Sequence, residues 1–463
     1  MRIWLLAIAA LAVLAAVFFE RPHATPGPPM RDFEAYYAAG STWNHGGDPY
    51  SQAIWPAEQP LPGVNSQRYE ALPFVGPPML LPVFAVIARM PFLTANVFWR
   101  ALLIAALAVV AFVTLRMAGN RFTAVSILAI SVAALGFGPL TSALALGQIA
   151  LPAFACALLS LAWAPASFLA WMQPNIALTL ASQVRSRRVF AFAIAALAFG
   201  AACVAVGGIG GIQHYVAVLQ QHAFAERFSA IQITPASIAY GFGASEQLAS
   251  AIGTVVTLAA VCCWALLMRE RTDALTRFCS ACALLPLAMP FFHEHDLLVA
   301  FVPAVVLTVR ADARTWPIAA FGGLLAATDW LGLAQRPDGA LQTLLLVGAF
   351  GLALVALREQ THPRMLIVPG VALAAIAVAT AFAHAHAAPV WPDAMGAVPP
   401  RIGHADIAAA WNAQQRATGL LAQDPVWAAL RCLSLAGCAL IAVATAISSR
   451  YFARSRNPLP DPA

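Results

Sequence analysis

The sequence predicts an all-α integral membrane protein, a polytopic bundle of about 12 transmembrane helices. Of its 463 residues, 61% are hydrophobic and 10% are charged, whereas an average soluble domain has roughly 25% charged residues. Apolar runs of roughly 17 to 22 residues recur from end to end, and each can cross a hydrocarbon core of roughly 30 Å. A membrane barrel would show short alternating strands, and an open sheet would leave backbone groups unsatisfied in lipid. Helices are therefore the predicted spanning elements.

Arginine positions predict which linkers face the cytoplasm. The net charge of +6 comes from arginine, since the sequence contains no lysine. These arginines lie between apolar runs, where the positive-inside rule places them, so the charge indicates topology and no nucleic-acid partner is expected. The second half then forms four helical hairpins with basic linkers at 185–188, 269–277, 310–314, 358–364 and 450–456. The outward segments between them are 212–246, 293–296, 334–340 and 389–425.

The first half is less regular. Residues 1–19 join a basic start to an apolar stretch, which we interpret as a retained first helix rather than a cleaved signal. Beyond residue 73, either five runs all cross the membrane, or 74–90 only dips into it and 165–183 forms a re-entrant hairpin. We prefer the second alternative, with a turn at Gln173 to Asn175. Broken helices at membrane depth are tolerated where they line an enclosed cavity, so they predict a site.

These patterns divide the chain into five parts. The predicted parts are a first transmembrane helix (1–19), an outward catalytic loop (20–73), a transmembrane core (74–310), C-terminal hairpins (311–449) that include the outward loop 389–425, and a cytoplasmic tail (450–463).

The first outward loop carries two carboxylates near the predicted membrane surface. Asp32 and Glu34 are separated by one residue and follow Arg31. Such a pair can serve as a general base and as an organiser of metal or phosphate. The alternative is a solvated loop whose tyrosines, Tyr36 and Tyr37, anchor the chain at the interface. Spacing alone leaves both interpretations open.

Four sequence blocks occur in an order that is typical of one enzyme family. The first consists of Asp32, Phe33, Tyr36, Tyr37, Ala39 and Gly40, followed by Gly47, Asp48, Pro49 and Tyr50. The others are Pro77-Pro78 with Leu81-Pro82, then Leu146-Gly147-Gln148, then Pro290 to Leu297. Together they resemble glycosyltransferase family 87, the polyprenyl-phosphate-mannose-dependent mannosyltransferases of the GT-C superfamily. The resemblance covers roughly residues 30–310.

The resemblance implies a GT-C-like fold and an inverting glycosyltransferase in the cytoplasmic membrane. Its substrates would be a polyprenyl-phosphate-linked sugar, expected to be mannose, and a lipid or glycan acceptor on the outer side, with membrane lipids around it. Asp32 would be the catalytic base. The expected substrate-binding residues are Glu34, Tyr36, Tyr37, Asp48, Gln148, Gln173, Asn175, His293, His295 and Asp296. The resemblance establishes no cofactor, and a divalent cation stays open.

One departure from the family pattern concerns the donor phosphate. Family members commonly place a lysine where this chain has Gln173, before Pro174. Glutamine can donate hydrogen bonds but carries no charge. Another cation would then meet the phosphate, and guanidinium groups suit that role. The outward candidates are Arg31, Arg68 and Arg227.

The polar cluster His293 to Asp296 interrupts two apolar runs. Ionisable residues at membrane depth usually mark a functional pathway or a surface turn. The cluster could bind a metal ion, bind donor or acceptor, or form a polar turn. Histidines two apart on a helix face different sides, which weakens a zinc site.

Tryptophans in the outward loops are a less specific signal. Trp43, Trp55, Trp391 and Trp411 could stack on sugars, although anchoring at the interface is the commoner use. Two other functions stay open, namely a transporter or flippase built on the same broken helices and a non-catalytic assembly protein of the same fold. Against the transporter, the two halves show no repeat, and the polar groups gather on the outer side.

Overall fold

A computed structural model describes residues 1–19, 30–64, 72–269, 273–330, 333, 339–358, 360–384, 386 and 407–452. Within these ranges the protein is all-helical, as predicted. The extended backbone pairing in these ranges is an isolated antiparallel bridge between Gln232 and His293. In chain order the helices are α1 (Arg2–Phe19), α2 (Arg31–Asn44), α3 (Trp55–Glu58), α4 (Leu81–Ile87), α5 (Phe92–Met117), α6 (Ala124–Gly136), α7 (Gly138–Leu146), α8 (Ala150–Ser160), α9 (Ser167–Ala170), α10 (Pro174–Ala177), α11 (Arg188–Glu226), α12 (Pro235–Gly241), α13 (Glu246–Arg269), α14 (Ala274–Ala288), α15 (Phe301–Arg310), α16 (Trp316–Ala326), α17 (Gly339–Leu357), α18 (Ile367–His384), α19 (Ile407–Ala417) and α20 (Pro425–Phe452).

Six helices of the described ranges are long and apolar enough to cross a membrane. They span Phe92–Met117, Arg188–Glu226, Glu246–Met268, Gly339–Leu357, Pro363–Ala383 and Pro425–Ser448, and the pair α6 and α7, bent by 69°, makes a seventh if it is one span. The expected 12 spans are not confirmed. Several apolar runs form helices of 10–17 residues, shorter than the roughly 20 residues that a straight crossing needs.

The two segments predicted to be broken are short pieces of helix. The run 74–90 forms a 3₁₀ turn at Pro78–Leu80 and then α4, which has seven residues. The run 165–183 contains α9 and α10, of four residues each. Gln173 is extended (φ −126°, ψ 96°), because a residue before proline is pushed away from helical geometry. These lengths agree with the preferred alternative.

Helix α11 continues into the first part of the predicted outward segment 212–246. It bends at Gly208, whose φ of 64° and ψ of −179° suit glycine alone, and it then continues to Glu226. The neighbouring Gly207 lies against the Pro78 turn, where an added Cβ would come within 3.1 Å of the Pro78 ring. The bend therefore redirects the last turns of α11, which carry His222 and Glu226.

Helices far apart in sequence pack against each other in the core. The first helix runs antiparallel to α17, since Arg2 Nε donates to Ala356 O (2.7 Å) and Gln342 Nε2 to Ala16 O (3.4 Å). The segment that follows the polar cluster is also deeply buried, with Leu297 to Val302 all at 0% exposure. This buried segment fixes the position of His293 to Asp296.

Candidate active site

A cavity of about 190 Å³ lies between α2, the end of α11 and the 3₁₀ segment Glu294–Ala300. Its polar lining comes from four parts of the chain: Arg31, Asp32 and Tyr36; Gln148 and Gln173; His222 and Glu226; and His293, Glu294 and His295. Segments from 30 to 300 therefore meet at one place, as the order of the sequence blocks predicted.

Asp32 is held by the start of α2. Met30, just before this helix, is buried and adopts the left-handed conformation (φ 79°) that non-glycine residues rarely use. Its N–H donates to Ala145 O at the end of α7. Gly147 also has positive φ (80°), and an added Cβ there would lie 2.8 Å from the Cβ of Phe33. The first turn of α2 is thus docked on the turn that carries Gln148.

Gln148 and Tyr36 orient the Asp32 carboxylate. The Gln148 Nε2 donates to Asp32 Oδ2 at 2.5 Å, and the Tyr36 hydroxyl donates to Gln148 Oε1 at 3.0 Å. Because the tyrosine donates to the amide oxygen, the amide nitrogen must face the carboxylate. Burial raises the pKa of Asp32 to about 6, against the Gln148 hydrogen bond and the nearby charges of His293 and Arg31, which lower it. A carboxylate of this pKa is ionised at neutral pH and basic enough for proton transfer.

Glu226 faces the same cavity and is surrounded by donors. It is 1% exposed. His293 Nε2 lies 2.8 Å and Gln232 Nε2 2.9 Å from its Oε2, while Trp411 Nε1 (2.5 Å) and Gln415 Nε2 (3.1 Å) donate to its Oε1. A buried carboxylate is tolerated when it is paired and fully hydrogen-bonded. Burial disfavours the charged form of His293, but the contact with Glu226 outweighs it and raises the pKa of His293 above its usual value.

Two groups of the described residues could hold a metal ion. They are His222 with Glu226 and His293, and His293 with His295 and Asp296, each with ligand atoms within 4.8 Å of one another. The amide of Gln232 weighs against a cation in the first group. Phe292 N–H donates to its Oε1 (2.8 Å), so its Nε2 is directed at Glu226 and lies 3.1 Å from His293 Nε2. A fixed N–H donor at this point disfavours a metal ion.

A protein-family model matches a region that lines part of this cavity. A model of glycosyltransferase family 87 matches residues 74–290. Residues 74–290 form a glycosyltransferase family 87 domain. The resemblance expected from the sequence is thereby confirmed, and the domain indicates a membrane glycosyltransferase. No match was found among curated proteins or among solved structures.

The family 87 domain supplies only part of the cavity. It contributes Gln148, Gln173, His222 and Glu226, whereas Asp32 precedes it and the 3₁₀ segment Glu294–Ala300 follows it. The roles of these residues in binding or catalysis stay predictions, but their meeting in one cavity is what such roles require.

Five predicted binding residues lie outside the cavity lining and brace the surrounding structure. Glu34 Oε1 accepts from Gly63 N (2.9 Å), and Tyr37 donates to Met90 O (2.8 Å). Asp48 accepts from Tyr50 N (3.0 Å) and contacts His214 Nδ1 (2.7 Å). Asn175 donates to Phe291 O (3.3 Å). Asp296 accepts from His293 N (3.1 Å) and is hydrogen-bonded by Gln173, a residue that does line the cavity.

Of the three arginine candidates, Arg31 is the one that lines the cavity within the part of the chain that the structure describes. Arg227 stacks instead on the ring of Phe228, 5.5 Å from its centroid. Arg68 and Trp391 lie outside the described residues.

His222, Glu226 and Trp411 line the cavity and were not predicted as site residues. The predicted topology placed all three in outward loops. The spacing of His222 and Glu226 was a signal in the sequence, because residues four apart lie on one face of a helix. This spacing predicts a shared face only if α11 extends to residue 226.

Proposed function

We propose that the protein is an inverting glycosyltransferase of the cytoplasmic membrane. It would transfer a sugar, with mannose as the expected one, from a polyprenyl-phosphate carrier to a lipid or glycan acceptor on the extracytoplasmic side. The observation that carries the proposal is the half-buried Asp32, oriented by Gln148 and close enough to His293 for their charges to interact. One cavity thereby offers a base and a cation, the two groups that this reaction needs.

Asp32 acts on the acceptor. Its carboxylate accepts the hydroxyl proton while the acceptor oxygen bonds to the anomeric carbon and the bond from that carbon to the phosphate oxygen breaks. The hydrogen bond from Gln148 holds one carboxylate oxygen, so the other is available for the incoming proton. A positioned base of this kind typically contributes about 10²- to 10⁴-fold.

The lipid phosphate leaves as an anion and gains negative charge in the transition state. Groups directed at that charge stabilise the transition state more than the ground state. With an uncharged residue at Gln173, Arg31 and the imidazole of His293 are basic groups that line the cavity in the part of the chain that the structure describes. We assign the donor phosphate to them. Glu226 supports this assignment because its contact favours the protonated form of His293.

The test compares wild type with Asp32→Asn for transfer of labelled sugar from polyprenyl-phosphate-mannose in membranes, at matched expression. We expect a loss of about 10²- to 10⁴-fold. Glu246→Gln is the matched control, since it neutralises an exposed carboxylate that does not line the cavity, and transfer should stay close to wild type. Equal transfer by Asp32→Asn and wild type would remove Asp32 as the base. No transfer by wild type would contradict the proposed donor.

A further inference from the structure

Helix α19 (Ile407–Ala417) lies outside the family 87 domain but closes one side of the cavity. Trp411 lines the cavity and donates to Glu226 Oε1. Gln415 donates to the same oxygen, and Asn412 Nδ2 donates to Ala225 O at 3.1 Å. Three side chains of α19 thus fix this helix to the last turn of α11.

The chain that follows α19 completes an apolar wall. Leu420 is 2% exposed, packs against Ile231 and Trp411, and lines the cavity with them. Its carbonyl accepts from Ala230 N at 2.7 Å. Phe291 continues this wall. We call Ile231, Phe291, Trp411 and Leu420 the apolar wall.

Aromatic rings follow one another along this side of the cavity. Trp411 is stacked near His222 (centroids 6.4 Å apart), His222 contacts Phe291 (5.5 Å), and Phe291 contacts His293 (4.9 Å). A pyranose ring presents C–H groups that pack on aromatic faces and hydroxyl groups that need polar partners. Binding sites that combine rings with a few polar groups provide both.

The position of the apolar wall favours an acceptor over the isoprenoid tail of the donor. Helix α19 has 11 residues and carries Asn412, Gln414, Gln415 and Arg416, so it is too short and too polar to lie in hydrocarbon. A helix of this kind lies in water or at the membrane surface, where an acceptor headgroup would bind, whereas an isoprenoid tail lies in the bilayer.

We propose that the apolar wall is the acceptor subsite, and that Trp411 packs against a hexopyranose ring of a glycan or of a glycolipid headgroup. The proposal rests on the proposed function, in which Asp32 deprotonates an acceptor hydroxyl in the same cavity. Helix α19 would then determine which acceptor is used.

A binding experiment tests the subsite without any donor. Saturation-transfer NMR is recorded on the full chain in nanodiscs with methyl α-D-mannopyranoside, methyl glucoside and methyl galactoside in turn. Irradiation of the aromatic protons of the protein should transfer saturation to the C–H protons on one face of at least one of these sugars. Trp411→Ala should abolish the transfer, and Trp411→Phe should retain it, because both variants lose the indole N–H but only the second keeps a ring. Trp163→Ala, at a side chain 65% exposed and outside the cavity, is the control. No transfer to any sugar, or equal transfer in Trp411→Ala, would overturn the proposal.

Kinetics then separate the acceptor from the donor. With octyl α-D-mannopyranoside as acceptor, Trp411→Ala should raise the acceptor KM about 3- to 10-fold above that of Trp411→Phe, which loses the same hydrogen bond to Glu226, and the two variants should have the same donor KM. A rise in the donor KM alone would overturn the proposal and assign the wall to the isoprenoid. A lower KM for the octyl than for the methyl mannoside indicates a glycolipid acceptor, and equal values indicate a free glycan. Absence of transfer by wild type would contradict the proposed function, while the NMR result would still decide the subsite.

Discussion

Asp32 and Glu226 are carboxylates on the same cavity, but the protein holds them in different ways. Asp32 is half-buried and receives one side-chain hydrogen bond among those described, from Gln148. Glu226 is fully buried and is contacted by four side-chain nitrogens. A carboxylate with few donors keeps the basicity that proton transfer needs, whereas one with many donors is stabilised as an anion. The comparison distinguishes the proposed reacting group, Asp32, from a structural one, Glu226.

The largest expected effect on stability comes from removing the buried Glu226 carboxylate, which accepts from several protein donors. Glu226→Ala leaves a protonated His293 and several buried N–H donors without their acceptor, so we expect a loss of roughly 3–5 kcal/mol in unfolding free energy. Thermal unfolding in detergent measures this loss of stability. Asp32→Asn is the comparison, and its melting temperature should equal or exceed that of wild type, because burial disfavours the native charge at Asp32. Equal melting temperatures for Glu226→Ala and wild type would contradict the distinction.

The pH dependence of transfer sharpens the role of Asp32. The base must be ionised, so the rate should be full well above the pKa of about 6 and should fall as pH drops through that value. The Gln148 hydrogen bond lowers this pKa, and Gln148→Ala should therefore move the midpoint to higher pH and reduce the plateau. Transfer rates from pH 5 to 8 provide the measurement. A midpoint that does not move would show that another group controls the profile.

The smallest expected effect concerns Tyr36. Tyr36→Phe removes only the hydroxyl that orients the Gln148 amide, a hydrogen bond worth about 0.5–1.5 kcal/mol. Transfer should fall about 2- to 10-fold, with no change in the acceptor KM. Tyr37→Phe is the control, because that hydroxyl donates to Met90 O outside the cavity. A larger loss in Tyr37→Phe than in Tyr36→Phe would contradict the proposed orientation of Gln148.

The sequence was sufficient for the helical class, the family and the meeting of Asp32, Gln148 and His293. These follow from composition and from motif order, which do not depend on where each helix ends. The number of spans could not be obtained in this way, since apolar runs such as Ala274–Ala288 form helices too short for a straight crossing.

Other parts of the site depend on tertiary structure. The position of Glu226 requires that α11 bend at Gly208 and continue beyond residue 212. Trp411 reaches the cavity only because α19 docks on α11. Glu34 accepts a hydrogen bond from Gly63 N and does not line the cavity. It lies two residues after Asp32, and residues two apart on a helix face different sides.

The antiparallel contact between α1 and α17 has a consequence for biosynthesis. Helix α1 leaves the ribosome before its partner, Gly339–Leu357, which follows more than 300 residues later. At roughly 5–20 residues per second, α1 waits on the order of 15 to 60 seconds for that partner. During that interval its apolar side must be covered by lipid or by the insertion machinery, so the cavity can be completed only late in synthesis.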